Sequence, residues 1–198
     1  MPRGMRRRSP KPRRGAPRRQ RQGDYRIFIG AFPEGELAGR IQALREKYDP
    51  QTAAITAPHV TLAGTYWRYG EATPENETEL IHRLQQHADR IAPFELVLGG
   101  IRRFGNRVVY LGVKPTDDLL AARRTLLKIA GQDKHRRYTP HLTLAMRLSP
   151  AEMDQMAEEL QGATWESERW TVPIKHLHLM QRGPQDDAWR AIAEFPLG

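Results

Sequence analysis

A six-residue pattern occurs twice in this chain. The first motif, Pro58–Ala63, reads PHVTLA, and the second motif, Pro140–Ala145, reads PHLTLA. Because alternate side chains of a β-strand share a face, the His and Thr of each motif point one way and its aliphatic residues point the other. Two buried strands that each present an imidazole and a hydroxyl predict one active site with two halves.

The surroundings of the motifs repeat as well. We call the number of positions that separates His59 from His141 the repeat offset. The same offset separates Tyr25 from Arg107, which begin the strands that precede the two motif strands. Those preceding strands are therefore duplicated as well. In each half, the predicted order is strand, helix, motif strand, helix and strand. We therefore predict an α/β (α+β) fold with two duplicated sheet-plus-helix lobes, about 24–104 and 105–198, related by a pseudo-twofold axis. The helices are expected outside, and the two motifs are expected to face a central cleft.

Hydrophobic periodicity and capping residues predict the individual elements. Helices are expected over Glu34–Tyr48, after an N-cap at Thr73, from Thr116 to Gly131, and from a capping box at Ser149 to Gly162. Strands are expected at both motifs and over Tyr25–Gly30, Phe94–Leu98, Val108–Gly112, Thr171–Gln181 and Trp189–Leu197.

The net charge of +9 belongs to the N-terminal segment. Residues 1–22 hold ten of the 32 Lys and Arg residues and no acidic residue, whereas the rest of the chain is nearly neutral. Its Arg, Pro and Gly composition predicts a disordered tail over 1–23. Such a tail is expected to contact the backbone of a nucleic acid, because each Arg that neutralises a phosphate releases counterions. A solubilising extension is the alternative.

Composition narrows the classes of protein and chemistry. The chain has no Cys, which excludes a disulfide scaffold, thiolate catalysis and a Cys-based zinc site. No stretch approaches the ~18 consecutive apolar residues of a membrane helix. The tail is not followed by the apolar segment of a secretory signal. We therefore predict a cytoplasmic protein that does not enter a membrane, and a monomer.

The motifs, the segment Arg26–Pro33 and the strand Arg107–Val113 resemble those of the 2H phosphoesterases, named for two H-x-T/S motifs. Within that superfamily the chain is similar to RNA 2′,3′-cyclic phosphodiesterases, also called 2′-5′ RNA ligases, over Tyr25 to Leu197. The resemblance implies hydrolysis of 2′,3′-cyclic phosphate ends to 2′-phosphates, reversible ATP-independent 2′-5′ ligation, and no metal or other cofactor. It implies a catalytic quartet of His59, Thr61, His141 and Thr143, and RNA with 2′,3′-cyclic phosphate or 2′-phosphate ends as the partner.

The residue types of the quartet fit that chemistry. Opening a cyclic phosphate requires a base that takes a proton from water and an acid that gives one to the departing ribose oxygen. Imidazole titrates near neutral pH, so two histidines can share these tasks, and the sequence does not decide which is the base. The two Thr hydroxyls are expected to donate hydrogen bonds to the non-bridging phosphate oxygens as charge shifts in the transition state.

Two positions depart from the family pattern. Family members often have a bulky apolar residue five positions after the first motif His, where this chain has Gly64. They also have an Arg five positions after the second motif His, where this chain has Met146. We expect Arg147 to take the place of that Arg, since it shares strand parity with His141 provided that no bulge intervenes.

Five side chains near the motifs are candidates for binding substrate. Phe28 lies on the first strand, where the family places an aromatic residue near the base, and Tyr66 and Trp67 follow the first motif. These rings are expected to stack on an unpaired nucleobase, with ordinary packing as the alternative. Arg137 and Arg147 bracket the second motif and are expected to hold a phosphate.

Other interpretations of the histidines and of the function stay open. A core position for both motif histidines is disfavoured by the repeat. His176 and His178 share a strand face that would suit a metal, but no HExxH pattern or suitably spaced carboxylate accompanies them, so we predict no metal site. The functional alternatives are a small-molecule cyclic phosphodiesterase of tRNA-splicing by-products and a non-catalytic RNA-binding module. The complete quartet argues against the second, and the basic tail favours long RNA.

Overall fold

The computed structural model describes residues 26–64, 74–131, 133, 137–183 and 185–198. Residues 1–23, Tyr66, Trp67 and Thr73 therefore lie outside the described part of the chain. Six α-helices are present in the described part: α1 (Gly35–Tyr48), α2 (Pro50–Ile55), α3 (Pro74–His87), α4 (Asp117–Ala130), α5 (Pro150–Gln161) and α6 (Thr164–Ser167). A 3₁₀ turn at Ala88–Arg90 follows α3. None of these helices is long and apolar enough to cross a membrane.

Eight strands form one antiparallel sheet in the order β6-β3-β4-β5-β2-β1-β7-β8. The motif strands, β2 and β5, pair with each other in the middle of this order. The strands are β1 (Arg26–Ala31), β2 (Val60–Ala63), β3 (Phe94–Phe104), β4 (Val108–Val113), β5 (His141–Ala145), β6 (Trp170–Ile174), β7 (His176–Arg182) and β8 (Arg190–Pro196).

The duplicated strands occupy mirrored places in the sheet. By the repeat offset, β1 corresponds to β4 and β2 to β5, and the order β4-β5-β2-β1 places the pairs on either side of the central contact. The predicted mixed fold of sheet and helices is confirmed, and the structure adds that the sheet is antiparallel. The hairpin of β3 and β4 spans the predicted boundary between 104 and 105, and the division into two lobes stays a prediction.

The sequence prediction of a single strand over Thr171–Gln181 is wrong. The segment forms two strands on either side of Lys175, and they lie in opposite halves of the sheet. β6 pairs with β3 at one edge, whereas β7 pairs with β1 and β8. Pro173 lacks a backbone N–H, so it fits an edge strand such as β6 and would interrupt a central one.

The capping predictions agree with the structure where it is described. The Thr116 side chain accepts a hydrogen bond from the Leu119 N–H at the start of α4, and Gly131 ends that helix with φ +97°. At Ser149 both hydrogen bonds of the capping box form at the start of α5. Helix α2 was not predicted from the sequence. It begins after Asp49, whose side chain accepts a hydrogen bond from the Thr52 N–H at 3.0 Å.

The core lies between the sheet and the helices. The aliphatic residues of both motif strands are buried in it, together with one face of α1, α3, α4 and α5. Because that side of the sheet is covered, the polar residues of the motifs are directed to the other side. Representative core residues are Ile29, Ile41, Val60, Leu62, Leu84, Leu111, Leu126, Leu142, Leu144 and Met156.

Candidate active site

Side chains alternate between partly exposed and buried from the His to the last Leu of each motif, and the Ala that ends each motif is buried as well. The branched aliphatic members have no solvent exposure, and the His and Thr members are partly exposed. This is the period-2 pattern of strands with one face against the core. The buried set is Val60, Leu62, Leu142 and Leu144, and the partly exposed set is His59, Thr61, His141 and Thr143.

The strand register brings the two motifs together. β2 and β5 run antiparallel with Val60 opposite Leu142. One residue to either side of that pair, the register sets His59 opposite Thr143 and Thr61 opposite His141, on the same face of the sheet. Each motif therefore supplies the His that lies beside the Thr of the other motif. Thr61 and His141 also line one cavity of about 290 Å³.

Each of the two imidazoles is held by an equivalent hydrogen bond to a backbone carbonyl oxygen two residues earlier in the chain. The Nδ1 atom of His59 lies 2.8 Å from the Ala57 carbonyl oxygen, and that of His141 lies 2.8 Å from the Thr139 carbonyl oxygen. A carbonyl oxygen only accepts, so Nδ1 carries the proton and donates in both rings. In the neutral state the lone pair is consequently on Nε2, where it is suited to proton transfer.

Aromatic rings pack against both histidines. Phe28 stacks on His59 with ring centroids 4.6 Å apart, and the Tyr110 ring lies 5.3 Å from that of His141. Phe28 and Tyr110 are themselves related by the repeat offset. The Phe28 side chain is only 6 % exposed, so the structure places it as a support for the imidazole. Phe32 adds a second ring at 5.3 Å from His59.

The surroundings of His59 favour its neutral form. Desolvation by the groups packed around the imidazole lowers the pKa of His59 to about 4, although the hydrogen bond to the Ala57 carbonyl acts in the opposite direction. The positive charges of Arg45 and His141 lower the pKa further. At neutral pH the ring is therefore uncharged, and its Nε2 lone pair is available to accept a proton.

This pKa predicts the acid limb of the pH profile. If His59 serves as the base of the expected reaction, we expect kcat/KM for a cyclic phosphate to hold down to about pH 5 and to fall near pH 4, because protonation of His59 then removes that base. The rate should be measured across this range, with circular dichroism at each pH as a control for folding. An acid limb centred near ~6.5, the ordinary value for imidazole, would contradict this assignment.

The structure separates the two arginines near the second motif. Arg137 is exposed and lines the cavity that contains Thr61 and His141. The expected strand parity of Arg147 is wrong, because β5 ends at Ala145. The Arg147 guanidinium instead donates to the Gln51 side chain at 2.9 Å, which directs it toward α2.

His176 and His178 lie on β7, and both approach one carboxylate. Their ring nitrogens are 3.9 Å and 3.7 Å from Glu194 on the neighbouring strand. The His178 ring also lies 5.1 Å from that of Phe32, so it adjoins the aromatic residues around His59. In the part of the chain that the structure describes, no group of three or more His, Cys, Asp or Glu side chains could hold a metal ion.

Two buried aspartates, which the sequence analysis missed, hold the ends of the motif strands. Asp133 Oδ2 accepts a hydrogen bond from the Gly64 N–H at 3.2 Å, directly after β2. Asp49 Oδ2 accepts one from the Met146 N–H at 2.9 Å, directly after β5. Gly64 and Met146 are related by the repeat offset. Each aspartate follows a helix of one repeat and binds the motif strand of the other, so the two halves of the site are held reciprocally.

The environment of Asp49 keeps its carboxylate ionised. Burial alone would raise the pKa of Asp49, but hydrogen bonds from the backbone of Met146, Thr52 and Arg147 hold it below its ordinary value. No local pattern around Asp49 points to the distant strand end that it binds. Only its capping of α2, where it precedes Pro50, could have been inferred from the sequence.

Asp133 belongs to a buried ion pair that reaches the first motif. Both of its oxygens lie 3.1 Å from the Arg123 guanidinium, which also donates to the Leu62 carbonyl oxygen. The Tyr138 ring covers that guanidinium at 4.1 Å, and the Tyr138 hydroxyl donates to the Thr61 carbonyl oxygen at 3.1 Å. The network therefore fixes the backbone of the first motif from the segment that leads into the second.

Comparisons with known proteins agree with this geometry. A family model described as the 2′-5′ RNA ligase superfamily matches residues 33–186. A Bacillus cytotoxicus protein named "putative phosphoesterase" is 28 % identical over 176 residues, which cover 87 % of this chain and 97 % of that protein.

Solved structures show the same fold. The crystal structure of E. coli LigT complexed with 3′-AMP has a TM-score of 0.59 and 23 % identity, and the match covers 87 % of this chain and 97 % of LigT. That of TT0787 from Thermus thermophilus has a TM-score of 0.56 and 18 % identity, covering 86 % of this chain and 97 % of TT0787.

Proposed function

The chain belongs to the 2′-5′ RNA ligase superfamily, and we propose that it opens 2′,3′-cyclic phosphate ends of RNA to 2′-phosphates without a metal. The observation that carries this proposal is the register of β2 and β5, which sets the His of each motif beside the Thr of the other. Two imidazoles and two hydroxyls on one face supply an acid, a base and two hydrogen-bond donors for a phosphate.

In the proposed reaction His59 is the base and His141 is the acid. His59 is uncharged at neutral pH, so its Nε2 takes a proton from water as the water oxygen bonds to phosphorus. The bond from phosphorus to the ribose 3′ oxygen breaks, and His141 gives a proton to that oxygen. Thr61 and Thr143 donate hydrogen bonds to the non-bridging oxygens while charge moves through the transition state.

The same site accounts for 2′-5′ ligation. When the 5′-hydroxyl of a second RNA takes the place of water, His59 accepts its proton and a 2′-5′ phosphodiester forms as the 3′ oxygen leaves. The strained ring of the cyclic phosphate drives the step, so no ATP is consumed. The complex of E. coli LigT with 3′-AMP supports a ribonucleotide as the class of ligand for the shared fold.

A defined oligonucleotide with a cyclic phosphate end tests the proposal. We expect its conversion to the 2′-phosphate, together with a 2′-5′-ligated product when a 5′-hydroxyl acceptor is added. Activity should be equal in EDTA and in buffer with a divalent metal, because the proposed acid, base and donors are all side chains. A loss in EDTA that a divalent ion restores would instead favour a metal site that uses His176 and His178.

The basic tail is proposed to bind RNA outside the active site. Deleting residues 1–22 should weaken binding to a ~20-nucleotide RNA and flatten its salt dependence, since several phosphate contacts are lost together. Cleavage of a nucleoside cyclic phosphate should not change, because that substrate is too short to reach the tail. An unchanged affinity and salt slope would contradict this role, and an equal loss on the short substrate would place the tail at the active site.

Cytoplasmic location and the monomeric state also stay predictions.

A further inference from the structure

A second cavity, of about 680 Å³, lies beside the candidate active site. It is bounded by the hairpin of β3 and β4 on one side and by the segment that leads into β5 on the other. Three cationic side chains line it, Arg102, Lys114 and Arg169, together with Gly99 and Gly112. We call it the basic cavity.

The charge of the basic cavity is uncompensated. No Asp or Glu is among its lining residues, and within the described residues none of the three cations pairs with a carboxylate. The guanidinium of the neighbouring Arg103, by contrast, lies 2.7 Å from a carboxylate oxygen of Asp154. Three like charges around one cavity repel each other, and a bound anion would relieve that repulsion. The cavity therefore has the charge of an anion site.

Glycines let two of the arginines lie against the backbone. Gly99, with φ +148°, falls at the irregularity of β3, and a Cβ there would come within 2.7 Å of the Arg169 side chain. A Cβ on Gly112 of β4 would lie 3.0 Å from Arg102 Nε. The Arg169 guanidinium is further held by the carbonyl oxygens of Glu166 and Glu168 at 2.9 Å and 2.8 Å. These two cations are placed by the shape of the backbone.

The basic cavity begins one side chain away from the quartet. Tyr110 lines it, and the Tyr110 ring is 5.3 Å from that of His141. Tyr138 and Thr139 line both the basic cavity and the smaller cavity that contains Thr61 and His141. A ligand group in the basic cavity is therefore close to one bound at the motifs.

The aromatic rings of the basic cavity are already engaged. Tyr110 stacks on Phe104 with centroids 4.2 Å apart, and Tyr138 covers Arg123 at 4.1 Å. One face of each ring is consequently occupied by a protein side chain, which leaves less aromatic surface for a nucleobase. Guanidinium and ammonium groups remain, and these bind phosphate oxygens through charge-assisted hydrogen bonds.

We propose that the basic cavity binds the phosphodiester that joins the reacting nucleotide to the nucleotide before it. This inference rests on the proposed function, because an RNA end with a cyclic phosphate places a second phosphate next to the reacting one. A nucleoside 2′,3′-cyclic phosphate lacks that group, whereas a dinucleotide with a cyclic phosphate end has it. The basic cavity thus selects RNA ends over cyclic mononucleotides.

The double variant Arg102→Ala/Lys114→Ala tests the selection. We expect kcat/KM for the dinucleotide cyclic phosphate to fall by about tenfold or more, since hydrogen bonds to a charged group are lost. The slope of its logarithm against the logarithm of salt concentration should also flatten, because a contact between charged groups that salt screens is lost. Values for the nucleoside cyclic phosphate should be unchanged. Arg124→Ala, an exposed cation on α4, is the matched control and should change neither.

A binding measurement separates this inference from the proposed function. By calorimetry, wild-type protein should bind a dinucleotide with a 2′-phosphate end about tenfold more tightly than a nucleoside 2′-phosphate, and the double variant should lose the difference. This readout needs no turnover, so an inactive enzyme with intact discrimination would contradict only the proposed function. Equal losses on both ligands, or no discrimination between them in wild type, would overturn the assignment of the basic cavity.

Discussion

Replacing His59 or His141 with alanine is expected to lower the rate of cyclic-phosphate cleavage by about 10²–10⁴-fold, because each substitution removes a general acid or base. Both side chains are partly exposed on the face away from the core, so the variants should keep their fold. Thr61→Ala and Thr143→Ala should lose less, because each removes one hydrogen-bond donor. Single-turnover cleavage of a cyclic-phosphate oligonucleotide measures all four effects.

His82→Ala is the matched control for these variants. His82 is an exposed residue on α3 that hydrogen bonds only with Gln86 among the described residues, so its loss should leave the rate unchanged. Circular dichroism and thermal unfolding establish that each variant is folded. A folded His59 or His141 variant with a rate near that of wild type would show that the reaction does not use two histidines.

Replacing Arg123 with methionine is expected to destabilise the protein by about 3–5 kcal/mol, because it removes the ion-pair partner of the buried Asp133 carboxylate. The side chains of Arg123 and Asp133 are only 8 % and 2 % exposed, so solvent screens the charges of this pair weakly. The variant also removes the donor to the Leu62 carbonyl, so the first motif should lose its position and the cleavage rate should fall. Urea unfolding at neutral pH measures the change in the free energy of unfolding.

Two further variants separate the ion pair from other effects. Arg103→Met removes a pair with Asp154 whose members are 31 % and 68 % exposed, and it should cost no more than about 1 kcal/mol. Arg123→Met/Asp133→Asn removes both charges and should recover part of the stability that the single variant loses. If Arg123→Met unfolds at the same urea concentration as wild type, the network does not support the first motif.

Local patterns in the sequence were sufficient to predict the polar face of the site. The alternation of His and Thr with Val or Leu in both motifs predicts which of these side chains are buried, because the period of a strand is two residues. Capping by Thr116 and Ser149 predicts the starts of α4 and α5 for a similar reason, since those hydrogen bonds span only three residues. The repeat offset also predicted the strand that precedes each motif. That strand carries Phe28 in one half of the chain and Tyr110 in the other.

Features that depend on distant pairing could not be predicted in this way. Nothing near Lys175 indicates that β6 and β7 lie in opposite halves of the sheet, because strand order is decided by partners far along the chain. The same holds for Asp49 and Asp133, which bind strand ends 97 and 69 residues away. The basic cavity likewise joins Arg102 of β3 to Arg169 before β6, and no single segment contains both.

A substrate with sulfur in place of the ribose 3′ oxygen of the cyclic phosphate tests the central claim, that the two motifs divide acid and base between them. A thiolate leaves without protonation, so this substrate needs the base and does not need the acid. We predict that it restores cleavage by His141→Ala to within about tenfold of wild type and leaves His59→Ala inactive. Restoration of both variants, or of neither, would contradict the claim that one motif supplies the acid and the other supplies the base.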